Sequence, residues 1–334
     1  MRRRRFINRG IQASAAISIL GLTSCKDGKK TPEATSETIE PEPEPAEVAI
    51  QLSLAQWSIH RMIKEEGLDP YAFAEKAKQW GFSGLEYVSQ LYEKELSEKG
   101  FSQEAMDEFV QKSLETSKAH GMENLIIMVD HEGDLSAADE AERNEAVEKH
   151  QKWVDAAKKL GCHSIRVNLM GSKVAEEWMP ASIDGLKKLC AYAAPKNIDV
   201  IVENHGGFSS DAGMLVEVMK SVDMDNCGTL PDFGNFCVER EDGTYFDSKC
   251  FKDDDRYQGI TELMPYAKAV SAKSHDFDSE GNEMHTDYTK MMGIVLSAGY
   301  KGYLGVEYEG KELSEEDGIL ATKNLLLKVL ETSA

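Results

Sequence analysis

Positive charge is what this chain lacks most. Against 59 acidic residues stand 38 Lys and Arg, a formal net charge of −21 over 334 residues. No basic patch survives outside the N-terminus, so phosphate-rich polymers would be repelled, which argues against a nucleic-acid partner. Small neutral sugars would not be repelled. Cysteine is scarce as well: there are six, none at metal-binding spacing. No G-x-G-x-x-G follows any strand-like run, which counts against an open, doubly wound dinucleotide-binding sheet.

The N-terminus reads as an address. "MRRRRFINRG" is positively charged, and the apolar "IQASAAISILGL" after it is too short to span a bilayer stably. The arginines before Phe6 and Ile7 resemble a twin-arginine export signal. "LTSC", Leu22 to Cys25, resembles a lipobox, in which Cys25 is lipidated and becomes the mature N-terminus. Residues 1–25 are therefore expected to be an export signal. Residues 26–47, "KDGKKTPEATSETIEPEPEPAE", hold too few apolar side chains to bury a core and read as a tether. Residues 48–334 would form the folded domain, outside the cytoplasm, in the periplasm or at the cell surface. A lipid anchor would be its contact with the membrane. That compartment permits a disulfide, with Cys237 and Cys250 the first pair to consider. The remaining cysteines read as buried small hydrophobes.

From Val48 onward, strand-like runs alternate with helical segments at a period of roughly 30 to 45 residues, the length of a strand-helix unit. The runs are "AIQLSLAQWSI", "GLEYVS", "NLIIMVD", "SIRVNLM", "DVIVENH", "CGTLPDFG", "AVSAKSHDF" and "GYLGVEYEG". Helix signals follow them: after the first, Asp69 is a cap, Pro70 opens the helix and Gly81 stops it. After the sixth comes an irregular excursion through "DGTYFDSKCFKDDD". Several strands are continuous apolar runs, as expected where both faces are buried. Eight such units predict an α/β fold, a single-domain closed (β/α)8 TIM barrel.

In such a barrel chemistry sits at the C-terminal ends of the strands. Those ends supply Trp57 and His60, Glu86, Asn168, Glu203 and His205, Asp232 and Asn235, Lys273 and His275, and Glu307 and Glu309. Any one of them could be a solvated rim residue. What singles them out is the concentration of carboxylates and imidazoles inside apolar runs on the last four strands. Residues two apart share a strand face, so Glu203 points with His205, Lys273 with His275, and Glu307 with Glu309. Ionised carboxylates packed together repel, and burying them unpaired costs several kcal/mol each. A divalent cation would remove that penalty. Oxygen ligands with one imidazole suit Mn, Mg or Co, with Zn also admissible.

"VENHGG", "PDFGN", "AKSHDFD" and "GYLGVEYEG" resemble the xylose-isomerase-like sugar isomerase/epimerase superfamily of (β/α)8 barrels. The resemblance runs from about Ala49 to the end of the chain. It implies one divalent metal ion held by Glu203, Asp232, His275 and Glu307. It also implies that Glu203 and Glu307 form the acid/base pair on opposite faces of the substrate carbon. The pattern departs in two places. Relatives often carry the seventh-strand His as H-x-K or H-x-H, whereas here Ser271 stands two before Lys273 and His275 two after it. Asn235 stands where many relatives have a His.

The expected activity is a divalent-metal-dependent sugar or keto-sugar isomerase or epimerase that abstracts a proton next to a carbonyl. Lys273 would polarise the developing oxyanion or pair with a neighbouring carboxylate. Trp57, His60, Glu86, Asn168, His205 and Asn235 would line a small carbohydrate substrate. The compartment argues for a glycoside or oxidised sugar and against a sugar phosphate. Two alternatives share these residues: a lyase or hydrolase acting on 3-keto-glycosides, and a non-catalytic carbohydrate-binding surface lipoprotein. An endonuclease of the related metal-barrel type would need more His and Asp ligands and a basic groove. The sequence leaves room for an oligomer.

Overall fold

A computed structural model of the protein describes residues 50–246 and 248–333. The expectations for the export signal, the tether and Cys25 lie outside the described residues. Ten strands follow in chain order: β1 Gln51–Ala55, β2 Gly84–Val88, β3 Glu123–Met128, β4 Ser164–Val167, β5 Asp199–Glu203, β6 Cys227–Leu230, β7 Cys237–Arg240, β8 Cys250–Asp253, β9 Val270–Ser274 and β10 Tyr303–Tyr308.

Eight of these pair in parallel, in the order β6-β5-β4-β3-β2-β1-β10-β9. Bridges Thr229–Ala267 and Asp232–Ser271 join the two outer strands. Across that seam the Ser271 N–H donates to the Pro231 carbonyl at 2.9 Å. The sheet is thus a TIM barrel. Several of its helices are started by aspartate caps. Asp139 accepts from the N–H groups of Ala141 and Glu142 to start the helix Glu140–Leu160, and Gly161 ends it at φ 86°. Asp211, Asp255 and Asp287 cap three later helices in the same way. Asp69 does cap, but it opens a 3-10 turn, Pro70–Ala72, that leads into the helix Phe73–Gln79.

The excursion after β6 is an antiparallel hairpin, β7–β8, closed by a Cys237–Cys250 disulfide. Of the remaining described cysteines, Cys162 and Cys190 are buried and Cys227 is half-buried. The hairpin tip returns over the barrel mouth. There the Tyr245 hydroxyl donates to the Met170 carbonyl, and the Phe246 ring lies 4.8 Å from that of His205.

Glu86 sits lower than expected. It is the middle residue of β2, and Ser53 of β1 donates to its Oε1 at 2.6 Å. On β10 it faces Gly305, where a Cβ would fall 2.5 Å from the same oxygen. Only Val88, two residues on along the same face, reaches the cavity above, so Glu86 is barrel interior and not substrate lining. Burial, reinforced by Glu203, pushes its pKa up to about 7 against the pull of Ser53 and Arg166.

Two predictions follow from these placements. Folded Glu86 holds its proton between pH 4.5 and about 7, where the unfolded residue has lost it, so stability falls as pH rises through that window. Chemical denaturation from pH 5 to 8 should show wild type losing on the order of 3 kcal/mol more than Glu86→Gln. Superimposable pH curves would mean that Glu86 titrates as in the unfolded chain. For the hairpin, closing a loop of this length contributes about 3 kcal/mol in the chain-entropy account. The Cys237→Ser/Cys250→Ser protein should be cleaved several-fold faster by protease within residues 241–249, with the barrel's far-UV spectrum unchanged. Equal cleavage rates would show that the strand pairing alone holds the hairpin.

Candidate functional site

A cavity of about 520 Å³ opens at the C-terminal ends of the barrel strands. Trp57, Asn168, His205, Asn235, Glu307 and Glu309 all line it. The one-turn helix Gln56–Ile59 presents Trp57 directly after β1. His60 stays behind it, its ring stacked on that of Trp57 at 4.5 Å and its Nδ1 2.6 Å from the Trp57 carbonyl. With Glu315 also 3.4 Å away, His60 buttresses the tryptophan and does not line the cavity.

One wall is a relay built from β3, β4 and β5. Arg166 and Asn168 both donate to Asp130 Oδ1 at 2.7 Å, and Asn168 Oδ1 lies 2.8 Å from His205 Nδ1. Burial, together with the nearby Arg166 and Lys273 cations, pushes the His205 pKa down to about 3, so its imidazole is neutral. Asp130 resists the upward push of burial: the Arg166 guanidinium, with a hydrogen bond from Asn168, holds its carboxyl below the usual range. Neither Asp130 nor Arg166 stood among the sequence candidates, yet both left a signal. Asp130 ends the apolar run "NLIIMVD", and Arg166 precedes Asn168 by two on the same strand face.

The segment "ENHGG" after β5 divides its labour. Glu203 enters the barrel interior and His205 lines the cavity, while Asn204 is structural. Asn204 Oδ1 accepts from the Asp232 N–H at 2.7 Å, and its amide donates to the carbonyls of Asp232 and Asn235 at 3.0 and 3.1 Å. It pins the turn after β6 that carries both of those residues. Gly207, at φ 61°, gives space to the hairpin, since a Cβ there would fall 2.6 Å from the Tyr245 ring.

Behind Glu307 lies a buried charge cluster. Glu203, Asp232 and Glu307 each offer an oxygen within 4.8 Å of the others, an acidic group able to hold a cation. A cation is already there. The Lys273 Nζ stands 3.4 Å from Glu307 Oε1 and Glu309 Oε2, and 4.0 Å from Glu203 Oε1 and Asp232 Oδ2. Lys273 is 1% exposed, as is Glu203. Burial alone would lower the Lys273 pKa, but Asp232, Glu307, Glu309 and Glu203 together raise it well above the usual value. Burial raises the carboxyls of Glu203 and Asp232, and raises Glu307 furthest. Glu309 goes the other way: burial would raise it, yet Lys273, His275 and His205 bring it to about 2.

His275 is not in this group. No ligand atom of His275 converges with those of Glu203, Asp232 and Glu307, although its ring passes near Gly234 beside the Lys273 stem. Its backbone N–H donates to Glu283 Oε1 at 3.2 Å, and its ring meets that of His285 edge-on at 6.0 Å. The four-ligand set Glu203, Asp232, His275 and Glu307 is therefore not assembled.

The remaining donors are already engaged. Asp232 Oδ1 accepts from the Gly234 and Asn235 N–H groups, both at 2.9 Å, and its Oδ2 accepts from Ser271 at 2.6 Å. Glu203 Oε1 accepts from the Asn235 amide at 3.0 Å, and Arg166 Nε pairs with its Oε2 at 2.9 Å without an aligned hydrogen bond. A hard divalent ion needs these oxygens at about 2.0 to 2.6 Å. Set about 4 Å from the ammonium, it would meet repulsion of about 8 kcal/mol at an effective dielectric of 20. With Lys273 in this position, the cluster does not fit a Mn, Mg, Co or Zn ion as well.

Three relatives bear on this arrangement. Over 61 residues the chain is 38% identical to the C-glycoside deglycosidase alpha subunit of Arthrobacter globiformis, a stretch covering 17% of each protein. The fold matches the IOLI protein with a bound zinc atom at a TM-score of 0.62 and 16% identity, over 85% of this chain and 99% of that one. It matches the apo form of a 3-keto-D-glucoside 4-epimerase from E. coli at 0.60 and 11% identity, over 84% and 100%. Residues 74–328 match the family described as xylose isomerase-like TIM barrel, and the chain belongs to that family.

Proposed function

We propose that the protein transfers a proton next to the carbonyl of a small sugar or keto-sugar, as an isomerase of the enediolate type. One observation carries this: Glu307 reaches the substrate cavity while its carboxyl is held well above the usual range beside a buried ammonium. A carboxylate so raised is a stronger base, nearer the strength that such carbon acids need at neutral pH. Arg166, Asn168 and Asn235 line the same cavity and offer donors to the oxygen on which charge develops. Trp57 offers its ring to the C–H face of a sugar.

The family resemblance implies Glu203 and Glu307 as an acid/base pair across the substrate carbon. In the structure Glu203 lies under Asn235, covered, and Glu307 alone of the two faces the cavity. A single base can lift a proton and return it to the adjacent carbon on the same face, which is isomerisation. Epimerisation at one carbon would further require Glu203 to be uncovered.

A lyase or hydrolase acting on 3-keto-glycosides is the second reading, favoured by the 61-residue likeness to the deglycosidase subunit. It too needs one base, with the aglycone leaving from the carbon beyond the enediolate. Both readings suit the lipid-anchored, extracytoplasmic protein proposed from the N-terminal sequence, and its acidic surface suits neutral sugars better than nucleic acid.

Incubation with 3-keto-glucosides in deuterium oxide, followed by NMR, tests the proposal. Deuterium should enter at a carbon beside the ketone, and Glu307→Gln should slow that exchange by about 100-fold or more. An intact glycoside after exchange supports the isomerase, and release of an aglycone supports the lyase. Exchange at equal rates in wild type and Glu307→Gln would leave a carbohydrate-binding protein as the better description.

A further inference from the structure

We infer that Lys273 is the resident cation of this site, that its ammonium takes the place of a divalent ion among Glu203, Asp232 and Glu307, and that the protein works without a metal. The inference concerns the proposed proton-transfer site but rests on that reading only for its catalytic consequence.

The surroundings are built for a lysine. Register places Lys273 opposite Glu307 on the neighbouring strand, so the ammonium and that carboxylate meet wherever β9 and β10 pair. Its aliphatic stem passes over Gly234, where a Cβ would fall 3.2 Å from both Cγ and Cδ. Any side chain at residue 234 would press on the stem. Ser271, two residues earlier on the same face, is short enough to leave the interior to the lysine, and its hydroxyl lies 2.6 Å from Asp232 and 3.3 Å from Glu307. The one imidazole near enough in sequence to be a fourth ligand, His275, brings no ligand atom to the group that Glu203, Asp232 and Glu307 form. These features arise on different elements, and all of them accommodate an ammonium.

An ammonium carries one unit of charge and chelates nothing. It cannot hold two substrate oxygens as a Lewis acid does, so orienting the substrate falls to the cavity donors Arg166, Asn168 and Asn235. Nor does it acidify an unactivated sugar carbon as strongly as a divalent ion. The substrate class is therefore narrowed to sugars that already carry a ketone, whose neighbouring C–H is acidic in its own right. A preceding oxidation of a ring hydroxyl must supply that ketone.

The test is metal uptake. Wild-type protein and Lys273→Met would each be treated with chelator, then incubated with Mn²⁺ or Zn²⁺. Bound ion is counted after desalting, and melting temperature is measured with and without the ion. Wild type should retain no stoichiometric metal and melt unchanged. Lys273→Met should gain Mn²⁺ binding and a metal-dependent rise in melting temperature, which loss of a merely structural ion pair would not produce. Its exchange with keto-glucosides should fall by about 100-fold. Should the variant fail to fold, the wild-type measurement decides alone. One equivalent of metal in wild type, lost in Asp232→Asn, overturns the inference. Deuterium exchange in wild type that appears only with added metal also overturns it and leaves the proton-transfer reading standing. Metal-free protein with no exchange on any ketone does the reverse.

Discussion

Much of the upper barrel depends on a single interaction, one ammonium shared by three buried carboxylates and a fourth, Glu309, at the cavity. Glu203, Asp232, Glu307 and Glu309 come from three strands and lie within 4.0 Å of Lys273. Without a cation among them, several would have to take up protons or move apart, because buried like charges cannot coexist unpaired. The local structure follows from this demand. Asn204 fixes the turn that delivers Asp232, Ser271 stays small and hydrogen-bonded, and residue 234 has no side chain. Arg166 supplies the second cation, shared between Asp130 and Glu203. One cation lies at the centre and the other at the wall, which divides the cluster into a lysine side and an arginine side.

That division explains why the four carboxylates differ in proton affinity. Glu309 keeps its charge because the Lys273 ammonium favours the anion over burial. Glu307 has the same lysine at the same distance, but three neighbouring carboxylates add to the burial that raises it. Two residues on one strand face thus become a fixed anion and a proton carrier. Chain alternation brings them to the same cavity, and their unequal surroundings give them unequal tasks.

The architecture was legible because apolar runs and turn residues recur at the spacing of strand-helix units, a signal that depends only on local pattern. The pairing of Cys237 with Cys250 was legible for a similar reason, both lying within one short excursion. What failed to show was direction and depth. Same-face spacing puts His275 beside Lys273, but its backbone N–H is tied to Glu283, its ring meets His285, and no ligand atom of it joins the acidic group. Glu86 sits in a run that looks like a strand end and is in fact mid-strand, so it faces Ser53 and Gly305 below the cavity. Asp130 and Arg166 were overlooked because their strands carry a lone acid and a lone base, whose meaning comes from the partner across the sheet. Lys273 stands out in its apolar run, but nothing in sequence spacing shows that four carboxylates converge on its Nζ.

The chemistry turns on the contrast between exposure and charge. Glu203 and Lys273 are covered, and Glu307 and Glu309 are the members of the cluster that reach the cavity, Glu307 being the one with the raised carboxyl. As Glu307 takes a proton from carbon, its negative charge passes to the substrate oxygen, and Lys273 loses one of its four counter-anions. The cluster is then less crowded with negative charge than before, so part of the repulsion that raised Glu307 is relieved in the transition state. The groups left to receive the displaced charge are Arg166 and the amides of Asn168 and Asn235, already fixed by hydrogen bonds to Asp130 and Glu203. Donors held in this way need little reorganisation when charge arrives. A barrel that buries a lysine where a divalent ion would otherwise sit therefore has a consistent division of work: the lysine sets the base, and the wall binds the oxyanion.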